Sequence, residues 1–282
     1  MPLLYYWKGE NYRRDLDYGA SFHLNQKNPL LHDIDIDDSL WAFTRTKTKR
    51  YVLAAELVVR AKTRNPTNFR YGSYRIWGDL KKSRYFQTED QPSVEQVIRN
   101  LSIKPSASIL GFSFQGGNAV RKISAEDHRI LTMVAKDIPT EPRACILPED
   151  RLEAAVLLGN PEAVKALIKA EPESVAKRRI AYLTRQAVKR SPLIVEQLRD
   201  MYNGQCQICK WSPRNSYNTD ICEGHHIRWL SRGGEDEIEN LVLLCPNHHR
   251  AAHACDAVFD YEGCSFDFGQ CQEVLSLNKH LS

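Results

Sequence analysis

No apolar run in this 282-residue sequence approaches the roughly 20 residues that a membrane-spanning helix needs. The opening MPLLYYWKGENYRR has no basic stretch leading into an apolar one, so no signal peptide is expected and the expected compartment is the cytoplasm. Charge of one sign is not in large excess. The 39 Lys and Arg against 35 Asp and Glu leave a net +4, which permits a nucleic-acid partner without requiring one. Apolar residues are not scarce either. At 42 % they exclude wholesale disorder, and the length leaves room for two domains or one large one. Cysteine is present eight times. In a cytoplasmic chain, with CxxC and CxxH spacing, metal binding is the expected use rather than disulfides.

The N-terminal part, residues 1–140, is rich in short β-like runs. Leu3–Trp7, Ser39–Thr44, Tyr51–Arg60 and Ser108–Phe114 are predicted strands from their β-branched and aromatic content and flanking turn residues. YVLAAELVV is apolar almost throughout and is predicted to be central. Val94–Leu101 and Ala125–Ala135 are predicted helices, the second with Ser124 and Asp127 placed as a capping pair. The strand spacing is not that of βαβ units, and a small mixed barrel is expected.

Basic residues gather here. Arg45, Lys47, Lys49 and Arg50 begin a stretch to Arg64 with one acid, Glu56, and aromatics from Phe69 to Phe86 follow among further cations. Cations to neutralise phosphates and flat rings to stack on bases are what a nucleic-acid surface uses. The opening YYWKGENYRRDLDYGASFHLNQKNP and the strand pair LWAFTR and YVLAAELVV resemble a PUA-like domain of the EVE branch. That resemblance implies a β-barrel able to hold an extruded modified base. The candidate pocket residues are Tyr5, Trp7, Phe22, Asn25, Trp41 and Trp77.

Residues 141–190 are expected to be a helical linker. Prolines punctuate its start, and PEDRLEAAVLLGN and PEAVKALIKA are predicted to pair as one helical hairpin. One copy is too little for a solenoid. The run from Lys177 to Arg190 has six basic residues and no acid, so Arg178, Arg179 and Arg185 are candidate contacts to a DNA backbone.

Residues 191–282 carry the densest chemistry. A predicted helix, Ile194–Tyr202, ends at Asn-Gly and delivers the knuckle CQIC. Cys206 and Cys209, with Cys245 and His248 of CPNH, make a closed four-ligand set of the kind that holds structural Zn2+. Cys222 or Cys255 is the alternative ligand if His248 is not one. His225 and His226 are adjacent, so on a strand they face opposite ways, while His249 and His253 lie four apart, on one face of a helix. His225 and His249, with His253 as a third candidate, are thus placed to hold one divalent ion, leaving His226 free as a general base. Asn240 is placed to bond across the SRGGEDEIEN loop.

The ordered pattern C-x2-C, HHI, RGG, ENLVLLCPNHH and a final H resembles the HNH nucleases of the His-metal ββα fold. The resemblance implies His226 as general base, Asn240 as the middle residue of the motif and His249 as a metal ligand. The knuckle ends in His248 where CxxC is commoner, which leaves open which of His248 and His249 serves which metal. The expected protein is α+β: a PUA-like barrel, a helical linker and a zinc-stabilised HNH domain. The expected function is metal-dependent (Mg2+, Mn2+ or Ni2+) hydrolysis of double-stranded DNA near methylated or hydroxymethylated cytosine. One site cuts one strand, so a double-strand break needs a homodimer or two nicks. The alternatives are an HNH endonuclease with sequence or structure specificity, and a non-catalytic zinc-bearing nucleic-acid-binding protein.

Overall fold

The computed structural model describes residues 1–18, 20–144, 146–158, 160–168 and 193–281. Arg178, Arg179, Arg185, the basic run around them and Cys145 lie outside the described residues. The chain divides into two compact units. Met1–Leu16, Ala20–Lys62 and Asn68–Ala144 form the first; Cys145–Ser282 forms the second, with the short pieces Asp17–Gly19 and Thr63–Thr67. No helix among the described residues is long and apolar enough to cross a membrane.

In the first unit the order is β1 (Leu3–Trp7), α1 (Gly9–Tyr18), β2 (His23–Gln26), α2 (Leu30–Asp33), β3 (Ser39–Arg45), β4 (Tyr51–Arg64), β5 (Tyr74–Gly78), β6 (Arg84–Tyr85), α3 (Glu95–Asn100), β7 (Val120–Lys122) and α4 (Ala125–Ala135). The seven strands make one sheet in the order β2-β5-β4-β3-β1-β7, with β6 on β4. β1 runs parallel to β3, while β1 with β7 and β3 with β4 are antiparallel. Among the described residues β2 and β7 end the sheet, so it is a half-barrel rather than a closed barrel. β4 is central, and its run from Tyr51 to Leu57 is wholly buried.

Strand alternation sorts the side chains onto two faces. Leu4, Trp41, Phe43, Tyr51 and Leu53 pack on one face with Ile98 of α3 and Leu131 and Ala135 of α4. α4 starts at a reciprocal capping box between Ser124 and Asp127, which satisfies two otherwise orphaned backbone donors. Asp127 also takes the Ser102 amide and hydroxyl.

The predicted strand at Ser108–Phe114 is instead a 3-10 turn over Leu110–Ser113. The buried residues are Leu110 and Phe114, four apart as on a helix, whereas Phe112, which period-two alternation would also bury, is 59 % exposed. Gly111 is wedged against Tyr6, where a Cβ would lie 2.8 Å from the ring, and its amide donates to the Tyr51 hydroxyl.

The second unit holds α5 (Glu149–Leu157), α6 (Pro161–Ile168), α7 (Leu193–Met201), α8 (Pro213–Tyr217), β8 (Glu223–His226), β9 (Leu241–Leu244), α9 (Pro246–Ala254) and a meander of β10 (Val258–Asp260), β11 (Ser265–Asp267) and β12 (Gln272–Val274). β8 and β9 pair antiparallel, His225 opposite Val242 and His226 opposite Leu241, and α9 follows at once. The four leucine and valine side chains of β9 are all buried, in a core with Leu198, Tyr202, Ala252, Phe259 and Phe266. Helices α5 and α6 come from the stretch read as a linker, yet they belong to this unit. Leu152, Val156, Val164 and Ile168 bury themselves with Leu230, in the loop after β8.

Candidate active site

The knuckle is shaped by two backbone bonds: the Lys210 amide donates to Cys206, and the Cys206 amide to Trp211. Lys210 takes positive φ, which turns the chain back so that both thiols face one way. Cys245 is the N-cap residue of α9 and His248 lies in its first turn. Nδ1 of His248 is 3.2 Å from Sγ of Cys245 and 3.5 Å from Sγ of Cys206, and Sγ of Cys209 is 4.0 Å from that of Cys245. Tetrahedral zinc with sulfur and nitrogen ligands separates its donors by about 3.5–3.8 Å. Burial pushes the Cys206 thiol up to about 12, so this sulfur ionises readily only against a cation. Behind the cluster, Nε2 of His248 meets Glu273 at 3.1 Å, the carboxylate backing that fixes which nitrogen faces a metal. The donor set fits Zn2+.

Cys222 is buried and Cys255 exposed, and neither belongs to the four-donor group. His248 and His249 are separated by the helical turn of about 100° per residue. The first faces the cysteines, and the second faces a different cluster.

That second cluster is built from β8, α9 and α5. Rings of His225, His249 and His253 lie 4.6–5.3 Å apart, centre to centre. Glu153 of α5 enters from outside the motif. Its Oε2 is 2.8 Å from Nε2 of His249, 2.8 Å from Nε2 of His253 and 3.7 Å from Nδ1 of His225. Donor atoms of all four residues lie within 4.8 Å of one another. His225 is fully buried and neither ring nitrogen makes a hydrogen bond. Buried polar atoms left so are costly, and a cation among three imidazoles removes the cost. Burial, with His253 and His249 adding, lowers His225 to about 4 against the pull of Glu153. It is therefore the neutral imidazole that ligates metals. The residues fit a divalent ion.

His226 is not left free, contrary to expectation. It points away from His225 on the same strand, as alternation requires, but both its nitrogens are taken. Nδ1 lies 2.6 Å from Oε1 of Glu153 and Nε2 lies 2.8 Å from Asp236. Burial opposes its charge, yet Asp236 and Glu153 outweigh that and push it up to about 9. Asn240 staples the loop between β8 and β9. Its Oδ1 accepts from the Arg228 amide at 2.8 Å, and its Nδ2 donates to the carbonyls of Arg228 at 3.0 Å and Glu235 at 2.7 Å. Gly234 is required within that loop, because a Cβ there would lie 1.9 Å from the Arg228 carbonyl.

Sequence reasoning missed Glu153, Asp236 and Glu273. A signal for Glu153 exists. Glu149, Leu152, Glu153 and Val156 sit at i, i+3, i+4 and i+7, the spacing of one helix face, and all four are buried. Two acids on a buried stripe need partners, and Glu149 finds its own in the amides of Leu230 and Ser231.

In the first unit the base-pocket candidates do not assemble in one place. Tyr5, Trp7 and Phe22 are buried together about Tyr85 and Tyr12, with ring centres 5.0–6.1 Å apart. Trp77 packs on His23, and Asn25 accepts from Arg75 at 2.8 Å. Trp41 lies on the other face, stacked on Phe86 and bonded through its indole nitrogen to His128. By contrast Lys47, Lys49 and Arg50 are exposed in the tight β3–β4 loop, and Arg45 is half-buried, its guanidinium on the Lys49 carbonyl.

Residues 206–254 match the HNH endonuclease family. Over 106 residues the chain is 29 % identical to the type IV methyl-directed restriction enzyme EcoKMcrA of Escherichia coli (strain K12), covering 29 % of this chain and 38 % of that protein. It is 31 % identical over 65 residues to anaredoxin of Nostoc sp. (strain PCC 7120 / SAG 25.82 / UTEX 2576), covering 23 % of this chain and 78 % of that one. The stretch shared with the restriction enzyme thus spans less than half of its length. With the two clusters, these matches support a nuclease.

Proposed function

We propose that this chain, whose residues 206–254 belong to the HNH endonuclease family, is a metal-dependent endonuclease that cuts DNA carrying methylated or hydroxymethylated cytosine. The observation that carries the nuclease reading is the convergence of His225, His249 and His253 from β8 and α9, with His226 on the reverse of the same strand. In this reading those three imidazoles hold the reaction's divalent ion, and Cys206, Cys209, Cys245 and His248 hold a structural Zn2+. When bound, the divalent ion (Mg2+, Mn2+ or Ni2+) supplies Lewis-acid stabilisation of the charge that develops on the phosphate and the leaving oxygen.

His226 is the general base. Asp236 takes the hydrogen on Nε2, which sets the tautomer, and Nδ1, which Glu153 occupies at 2.6 Å, accepts a proton from the attacking water only once that carboxylate has moved off it. Asn240 positions that base by fixing the loop that carries Asp236. Arg45, Lys47, Lys49 and Arg50 meet the DNA backbone, with Arg178, Arg179 and Arg185 as further contacts. One site cuts one strand, so a double-strand break takes two copies or two successive nicks.

The similarity to a restriction enzyme described as methyl-directed supports the modified target. A second reading, an HNH endonuclease without a modified-base requirement, is favoured by the burial of Tyr5, Trp7, Phe22, Trp41 and Trp77 in packed aromatic clusters. Matched methylated and unmethylated plasmids, digested with Mg2+ or Mn2+, separate the two. Cutting confined to modified DNA upholds the first, and equal cutting leaves the second. His226→Ala is the control for both: it is expected to abolish cutting while the protein still binds DNA.

A further inference from the structure

We infer that Glu153 is an intramolecular ligand of the nuclease's divalent ion, and that its carboxylate fills the position the DNA phosphate must take. The inference rests on the nuclease reading above. It draws on a helix that lies outside the family-matched residues.

The geometry is that of a fourth ligand. Ligands of a tetrahedral ion bound through nitrogen and oxygen stand about 3.3–3.5 Å from one another. Oε2 of Glu153 lies 2.8 Å from Nε2 of His249 and of His253, hydrogen-bond distances that open by about 0.5 Å around an ion, and 3.7 Å from Nδ1 of His225. Three imidazoles alone leave a coordination position open, as a reacting metal needs; a fourth protein ligand closes it. The other oxygen lies on the general base. Oε1 is 2.6 Å from Nδ1 of His226, the nitrogen that must take the proton from water, and also accepts from the His226 amide at 2.6 Å. A single carboxylate thus spans metal ligands and base. It carries one negative charge and two acceptor oxygens, as the non-bridging pair of a phosphodiester does. With Glu153 on Nδ1, His226 is itself fully buried.

Apart from Glu153 itself, α5 is held by one acid and a short apolar seam. Glu149 accepts from the amides of Leu230 and Ser231 at 2.6 and 2.9 Å, and the apolar faces of α5 and α6 close over one nuclease-side leucine, Leu230. Glu153 therefore acts as a stand-in for substrate, and the α5–α6 hairpin must shift before a phosphate can enter.

The test uses zinc-loaded full-length protein titrated with Mn2+, which favours oxygen over thiolate ligands. Unbound Mn2+ is read by its EPR signal, and nicking of a plasmid is read separately at saturating Mn2+. Glu153→Gln keeps the shape and removes the charge. It is expected to weaken Mn2+ binding on the order of 10- to 100-fold, at least the loss seen when an outer-sphere partner is removed, and to speed nicking at saturation. Leu230→Ala loosens α5 without touching a metal ligand and is expected to speed nicking too. Unchanged Mn2+ affinity in Glu153→Gln overturns the inference, as does nicking no faster than wild type in both variants. His249→Ala separates the two levels: if it also leaves Mn2+ binding unchanged, the three-histidine site itself fails. If it weakens binding where Glu153→Gln does not, only the role of Glu153 fails.

Discussion

Replacing Asn240 should damage the nuclease unit more when the substitute is isosteric than when it is truncated. Asn240 is buried and makes three hydrogen bonds across the β8–β9 loop, as acceptor from one amide and donor to two carbonyls. Asn240→Ala removes all three and leaves the Arg228 amide and two carbonyls without their partner. At about 0.5–1.5 kcal/mol per bond, with buried unsatisfied groups at the upper end, the loss is about 2–4 kcal/mol. Asn240→Asp keeps the acceptor for the Arg228 amide but turns a second carboxylate oxygen toward the carbonyls of Arg228 and Glu235. Two donor–acceptor contacts become acceptor–acceptor contacts in a buried place, and the carboxylate adds a charge to be desolvated. The expected order of stability is wild type, then Ala, then Asp. Urea unfolding of the zinc-loaded protein at pH 7 measures the order, and hydrogen exchange of the Arg228 amide localises it. If Asn240→Asp proves as stable as wild type, or more stable than Asn240→Ala, the loop is not held by this amide and the reasoning fails.

Three further outcomes are expected. Cys209→Ser leaves three donors and a poor fourth, so zinc content by mass spectrometry of the metal should fall and the second unit should lose its cooperative melt; full zinc with an unchanged melt would exclude the cluster as its support. Replacing Lys47, Lys49 and Arg50 together by alanine should lower the slope of log affinity against log salt by about 2–3, at about 0.9 for each lost phosphate contact, in anisotropy titrations with duplex DNA. An unaltered slope would place the DNA elsewhere. Asp127 sets a pH dependence in the first unit: burial opposes its ionisation, but hydrogen bonds from Ser102 and Ser124 outweigh that and hold its carboxyl below the ordinary range. Its folded value lies under the unfolded one of about 3.9, so its contribution is complete above that pH and lost as pH falls through the folded value. Asp127→Asn should therefore flatten the acid limb of first-unit stability in tryptophan-monitored urea unfolding.

What the residue pattern reveals depends on whether chemistry and periodicity point the same way. The four-donor cluster reads directly, because two-residue spacing forces Cys206 and Cys209 to one side, where Cys245 and His248 meet them. The strand β4 and the capped helix α4 read well, since burial and local propensity agree there. The ambiguity between His248 and His249 could not be read from residue type, since both are histidines; the turn of α9 decides it. The segment at Leu110–Ser113 misleads because its aromatic content favours a strand while its burial has helical spacing. Trp41 misleads in the opposite sense: an aromatic in a candidate reader domain invites a binding role, yet strand alternation sends it to the helix-covered face, away from Tyr5 and Trp7.

Glu153 exposes the deeper limit. A charged residue at a core position is ordinarily counted as a mismatch to the apolar stripe, and a helix containing two such positions, Glu149 and Glu153, reads as weakly amphipathic and is set aside as linker. The partners that make those positions favourable lie some seventy to one hundred residues further on, in the Leu230 turn, in β8 and in α9. No local window contains both. The rule that repairs this is physical: an acid that recurs on the apolar face of a helix needs a cation, a donor or a metal opposite it. In this chain the unclaimed complement is the histidine cluster. The rule asks only for a partner, and the structure supplies it; the question that follows is whether a phosphate and a glutamate compete for the same three imidazoles.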